Sequence, residues 1–248
     1  MAESTAARQG ILRPAFYAAR PGPLRDWWTL THPPYSAWHL SYVVIGACLA
    51  PHVRVDRLVA TVVAFFLAVG IAAHALDELS GRPLRTQIPS SWLLGAAGAG
   101  LAGAIALGAI GVARVGWTIV PFIVAGPLLV IGYNSRLAQR RKDIVFAAAW
   151  GAFPLITAYV AQAQALSWAA IIAAAAAFAL SAAQRSLSAP ARRLRRRTLG
   201  FSGSLMELDG TESEVDRAWL LKPFERALNA MAAATVLFAT ALALFRLT

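Results

Sequence analysis

Uncharged stretches about as long as a bilayer is thick recur along this chain, separated by short polar connections. About 20 apolar residues cross a hydrocarbon core. Windows of that kind run from about Ser36 to Val53, Leu58 to Glu78, Trp92 to Ala113 and Val115 to Asn134. From Ile144 to Gln184 there is no charge, a length that suits two helices, and Ala161-Gln162-Ala163-Gln164 marks the turn between them. A seventh window runs from about Ala227 to Phe245. The third window is rich in Gly and Ala, small residues that permit close helix contact. The pattern predicts an all-α fold, a polytopic transmembrane bundle of about seven helices. Residues 1–31 form an interfacial N-terminal segment, and 32–248 a single membrane domain with a polar loop at about 190–224.

Composition agrees. The chain is 58% hydrophobic and 14% charged, which is not the balance of a soluble domain. The net charge of +11 would suggest nucleic acid in a soluble protein. Here it is read as basic residues gathered in cytoplasmic loops, with no nucleic-acid partner. An inside N-terminus and seven spans divide the Lys and Arg residues 19 inside to 4 outside. This predicts a cytoplasmic N-terminus and an outside C-terminus in a bacterial inner membrane. The single cysteine, Cys48, excludes an intrachain disulfide. Residues 11–31 mix Arg with Phe, Tyr and Trp, which suits either an interfacial segment or a lid over a site.

The candidate chemistry gathers at one membrane level. His74, Asp77 and Glu78 are spaced i, i+3, i+4 and share a helical face at the end of the second window. On the same side lie His39, Tyr133 and the Gln184-Arg185 pair. Ionisable groups at that depth usually face a bundle interior or a water-filled cavity. Carboxylates hold Mg²⁺, which bridges phosphates. Arginines clamp diphosphate oxygens bidentately. The expected ligand is therefore an amphiphile with a diphosphate head and a lipid tail. The plainer reading of Asp77 and Glu78 is a helix end in water, paired with Arg82 and Arg85. The Arg192–Arg197 run reads first as a topology anchor or a contact with anionic lipid.

Three stretches resemble the UbiA superfamily of intramembrane prenyltransferases, over about His32 to Pro154. THPPYSAWHLSYVVIGACLA is similar to the first helix of that family. AHALDELSGRPLRTQIP sits where the family has its first Asp-rich motif followed by Arg-Pro-Leu. GYNSRLAQRRKDIVFAAAWGAFPL is similar to its Tyr-x-x-x-Lys-Arg stretch. The resemblance implies nine membrane helices around a cavity and transfer of a prenyl group from an Mg-bound isoprenyl diphosphate. It implies Asp77 and Glu78 as Mg²⁺ ligands. Arg82, Arg85, Arg140, Arg141 and Arg185 would bind the diphosphate, and His39, His74 or Tyr133 would position or deprotonate the acceptor. The family's second Asp-rich motif is absent, since its place reads AAQRSLSAPARRLRRR. Later acids come in MELDGTESEVD, as Glu207, Asp209, Glu212, Glu214 and Asp216; this reads first as a solvated loop, although the i, i+4 spacing of Glu212 and Asp216 could imitate a second metal site. The other reading is a non-catalytic relative that binds a polyprenyl lipid or a membrane-enzyme partner.

Overall fold

A computed structural model describes residues 13–20, 22–133 and 142–248. After a short extended stretch comes α1 (Pro23–Leu30), then α2 (Pro33–Cys48). The remaining helices are α3 (Val55–Leu79), α4 (Ser90–Val115), α5 (Trp117–Tyr133), α6 (Lys142–Ala163), α7 (Trp168–Arg196) and α8 (Arg217–Leu247). Between α7 and α8 stands an antiparallel hairpin, β1 (Ser202–Met206) and β2 (Glu212–Asp216), with Ser202 opposite Asp216.

Each apolar window corresponds to a helix, but among the described residues five are long and apolar enough to cross a membrane, α3, α4, α6, α7 and α8, not the seven that the windows predict. The 16 residues of α2 reach roughly 24 Å at ~1.5 Å per residue, short of the ~30 Å core. The apolar α5 is also short. The chain is thus an all-α, multi-helix integral membrane protein with five clear spans. Only 17% of the most apolar window of α4 is buried inside the bundle. An apolar surface left uncovered by protein is what lipid covers.

The α2 helix forms the centre of the bundle, packed on α3, α6 and α8. Trp38, Tyr42, Val43 and Ala47 are buried in it, and Trp38 Nε1 donates to Tyr42 Oη at 2.6 Å. Gly46 faces α6 so closely that a Cβ there would run into the Leu155 carbonyl. Gly100 of α4 does the same against α3, where a Cβ would lie 2.6 Å from the Leu67 carbonyl oxygen. Without a hydrophobic drive between helices in lipid, such close backbone approach supplies much of the attraction.

Two spans contain π-helical turns, Phe66–Ala73 in α3 and Ala148–Ala152 in α6. Wider turns break the regular i→i−4 ladder and often mark functional sites. Each is met by a histidine. His39 Nδ1 lies 2.9 Å from the Trp150 carbonyl, and His74 Nδ1 lies 3.2 Å from the Gly70 carbonyl. A carbonyl only accepts, so both Nδ1 atoms carry the proton. In the neutral rings Nε2 is then an acceptor.

The polar loop expected at about 190–224 is smaller than that. The α7 helix runs on to Arg196 and α8 begins at Arg217. The hairpin fills the space between, and Arg217 Nη1 ties the exit of α7 to α8 by donating to the Thr198 and Leu199 carbonyls at 2.8 and 3.0 Å. Glu212 and Asp216 lie on a strand, not a helix. At ~3.3 Å per residue they are roughly 13 Å apart, too far to share a metal ion.

Candidate functional site

A cavity of about 890 Å³ opens at the basic end of the bundle. That is near the upper end of the ~300–1,000 Å³ of small-molecule sites. Its floor is aromatic. Phe146 and Trp150 stack with ring centroids 5.6 Å apart, and Tyr133 leans on Trp150 at 4.6 Å. The Lys142 ammonium lies 4.9 Å from the Tyr133 centroid, and the Arg185 guanidinium 5.5 Å from that of Phe146. Both are cation–π contacts that hold charge at the edge of an apolar surface.

One wall comes from the end of α7, with Arg185, Arg192, Arg193 and Arg195–Arg197 all lining the cavity. The helix carries Pro190 within this stretch, which removes one N–H from its ladder. Among the described residues the wall together with Lys142 sets seven cations against two carboxylates, Asp77 and Glu225. Glu225 is engaged, because Arg195 grips it through both Nε and Nη2. Arg185 pairs with Asp143 at 2.7 Å on the exposed side, and Arg192 Nη1 donates to Ser188 Oγ at 2.7 Å.

The N-terminal segment closes over the other side. Arg195 and Arg196 donate to the carbonyls of Arg13 and Pro14 at 3.2 and 3.0 Å. Phe16 and Tyr17 thereby face the cavity. The Tyr17 hydroxyl lies 2.7 Å from His32 Nδ1, and His32 stacks on His74 with centroids 4.1 Å apart and planes 14° off parallel. His32 caps the start of α2 in a left-handed conformation (φ 46°). Burial, and then the adjacent His74, holds its imidazolium well below the usual histidine range. Burial pushes the Tyr17 phenol up. Both groups are neutral at physiological pH.

The two adjacent carboxylates of α3 part company. Asp77 lines the cavity, half-buried, and its carboxylate has no hydrogen bond or ion pair among the described residues. Glu78 points the other way and is fully buried. Its Oε2 accepts from Leu84 N, and its Oε1 from Thr86 N and Thr86 Oγ1, all at 2.9 Å. It thus pins the returning Gly-Arg-Pro-Leu turn. Leu84 then packs beneath Ala15 and Ala18, while Pro83 reaches the cavity. Asp26 completes the clamp by accepting from Gln87 N at 2.7 Å.

This overturns the expected magnesium site. Among the described residues there is no group of three or more His, Cys, Asp or Glu side chains placed to hold a metal ion. The physical reason is Glu78, whose lone pairs are spent on the turn. Asp77 is left without a second carboxylate beside it.

Of the other expected residues, His39, His74, Tyr133 and Arg185 meet around the cavity. Arg82 and Arg85 do not line it. Arg82 donates to the Ile88 carbonyl at 2.5 Å and Ser90 Oγ at 2.8 Å, and both arginines sit at positive φ in the turn. Arg140 and Arg141 lie outside the described residues. Sequence reasoning missed Tyr17, His32 and Phe146, although the aromatic and basic mix of residues 11–31 suits a lid as well as an interfacial segment.

No family model, characterised protein or solved structure matches this chain. No homology therefore ties it to the UbiA superfamily, and the likeness rests on the three motifs alone.

Proposed function

We propose that this is a non-catalytic integral membrane protein that holds the phosphate-bearing head of a polyprenyl lipid in its basic cavity. The observation that carries the reading is the arginine wall of α7 facing an aromatic floor at one end of an apolar bundle. Arginine forks match phosphate oxygens, and a cavity walled by protein is poorly screened, so the attraction is strong. The aromatic floor suits the first isoprene units beneath the head. His39, His74 and Tyr133 are proposed to shape the polar part of the cavity, and Arg185 with Arg192 and Arg193 to hold the phosphate. The positive-inside bias supports a cytoplasmic location for this basic end. Metal-assisted prenyl transfer loses its support with Glu78 spent on the turn.

The test is binding of a polyprenyl phosphate to the protein in nanodiscs, with and without EDTA. The wild type should bind equally in both conditions. Replacing Arg192 and Arg193 together with Gln should weaken binding about tenfold or more, since each removes charge-assisted contacts. Binding that needs a divalent cation, or that ignores the arginines, would contradict the reading.

A further inference from the structure

The cavity holds more than an anion needs. A fully ionised phosphate offers only acceptors, and the α7 wall supplies donors for them. Other groups lining the same space are acceptors with nothing to accept from. Gln184 is 2% exposed, lines the cavity, and its Oε1 has no hydrogen-bond partner among the described residues. Buried amide oxygens in native proteins are rarely left so without a reason. The Asp77 carboxylate is unpaired in spite of seven nearby cations. The proton on His74 Nδ1 is committed to the Gly70 carbonyl, which leaves Nε2 as an acceptor.

A bare phosphate would leave these three groups unmatched and would bring a second negative charge towards Asp77. A ligand with hydroxyl donors beside its phosphate satisfies both walls. An ammonium donor would answer Asp77, but it would meet the repulsion of the whole arginine wall.

We infer that the cavity takes a phosphoryl-linked sugar or polyol, with the arginines on the phosphate and Asp77, His74 and Gln184 on the hydroxyls. This rests on the phosphate-site reading above and narrows it. The cavity volume leaves room for such a group beside the phosphate. Two sources share this chemistry: a glycosylated polyprenyl phosphate in the membrane and a free sugar phosphate in solution.

The experiment compares four probes on the full chain in nanodiscs: a polyprenyl phosphate, the same lipid carrying one hexose on its phosphate, hexose 1-phosphate, and phosphatidylethanolamine. The wild type should prefer the hexosyl lipid to the bare one by about tenfold, the scale of a site whose buried acceptors are otherwise unpaired. In Gln184→Leu and Asp77→Asn that ratio should fall below about threefold. Equal binding of the two polyprenyl lipids by the wild type overturns the inference and leaves the phosphate-site reading standing. So does stronger binding of phosphatidylethanolamine. Binding of hexose 1-phosphate without either lipid supports the sugar-phosphate site and overturns the lipid. Failure of every probe overturns both readings. The wild-type ratio decides even where a variant does not fold.

Discussion

Asp77 and Glu78 are adjacent carboxylates of the same charge, yet their surroundings give them opposite duties. Glu78 offers two oxygens to three donors of the turn. Gln at this position has one oxygen and one NH₂, so an N–H must face a donor. We expect Glu78→Gln to cost about 1.5–3 kcal/mol of stability, the scale of a hydrogen bond to a buried charge. Asp77→Asn, with no bond to lose, should stay within about 0.5 kcal/mol. Thermal unfolding in one detergent compares the two, and equal losses would contradict the division of roles. His32 supplies a pH signature. Its folded pKa is depressed, so the unfolded state binds the extra proton. Its contribution is complete above the unfolded value near ~6.5 and declines as pH falls below it. Apparent Tm should therefore drop between about pH 7.5 and 5.5, and His32→Gln should flatten that part of the profile. An unchanged slope would show that His32 is not held neutral by the fold. None of these assignments was legible in the sequence. The i, i+3, i+4 spacing placed His74, Asp77 and Glu78 on one ideal helical face. The π-helical turn Phe66–Ala73 just before them and the bond to the turn set Glu78 apart from Asp77.

At the level of elements, each of the five spans among the described residues falls on an uncharged window, but two of the seven windows form shorter helices and the ends of the spans were not legible. A hydropathy window reports the part in lipid, whereas α7 and α8 carry charged turns beyond it, to Arg196 and from Arg217. The hairpin was not legible because its strands are short and show no clean alternation of apolar and polar residues. The packing of α2 was also hidden, since nothing in GACLA marks Gly46 as the residue pressed on the Leu155 carbonyl. Adding a side chain there must push α2 off α6. Gly46→Val should destabilise by about 1–3 kcal/mol, whereas Gly95→Ala, with open space around it, should not. Equal tolerance of both would show that the two helices are not in close backbone contact.

For the molecule as a whole, the sequence conveyed the class, an all-α membrane protein with its polar chemistry at one end. Arginine placement conveyed the orientation we propose. A single cysteine at Ser204 in a Cys48→Ala background should react with an impermeant maleimide in inside-out vesicles and not in intact spheroplasts. The reverse pattern would invert the topology. What the sequence could not convey was the cavity itself, because it is lined by the N-terminal segment, a turn and six helices that are distant in the chain. Its arginine wall read as a membrane anchor until α7 was seen to carry that run over the aromatic floor. The most direct test is to identify the lipid that stays with the protein purified in mild detergent from the cells that make it, by mass spectrometry. The account predicts a near-stoichiometric polyprenyl lipid bearing phosphate, retained in EDTA and lost from the Arg192→Gln, Arg193→Gln double variant. A retained lipid without phosphate, or one held equally by the double variant, would contradict it.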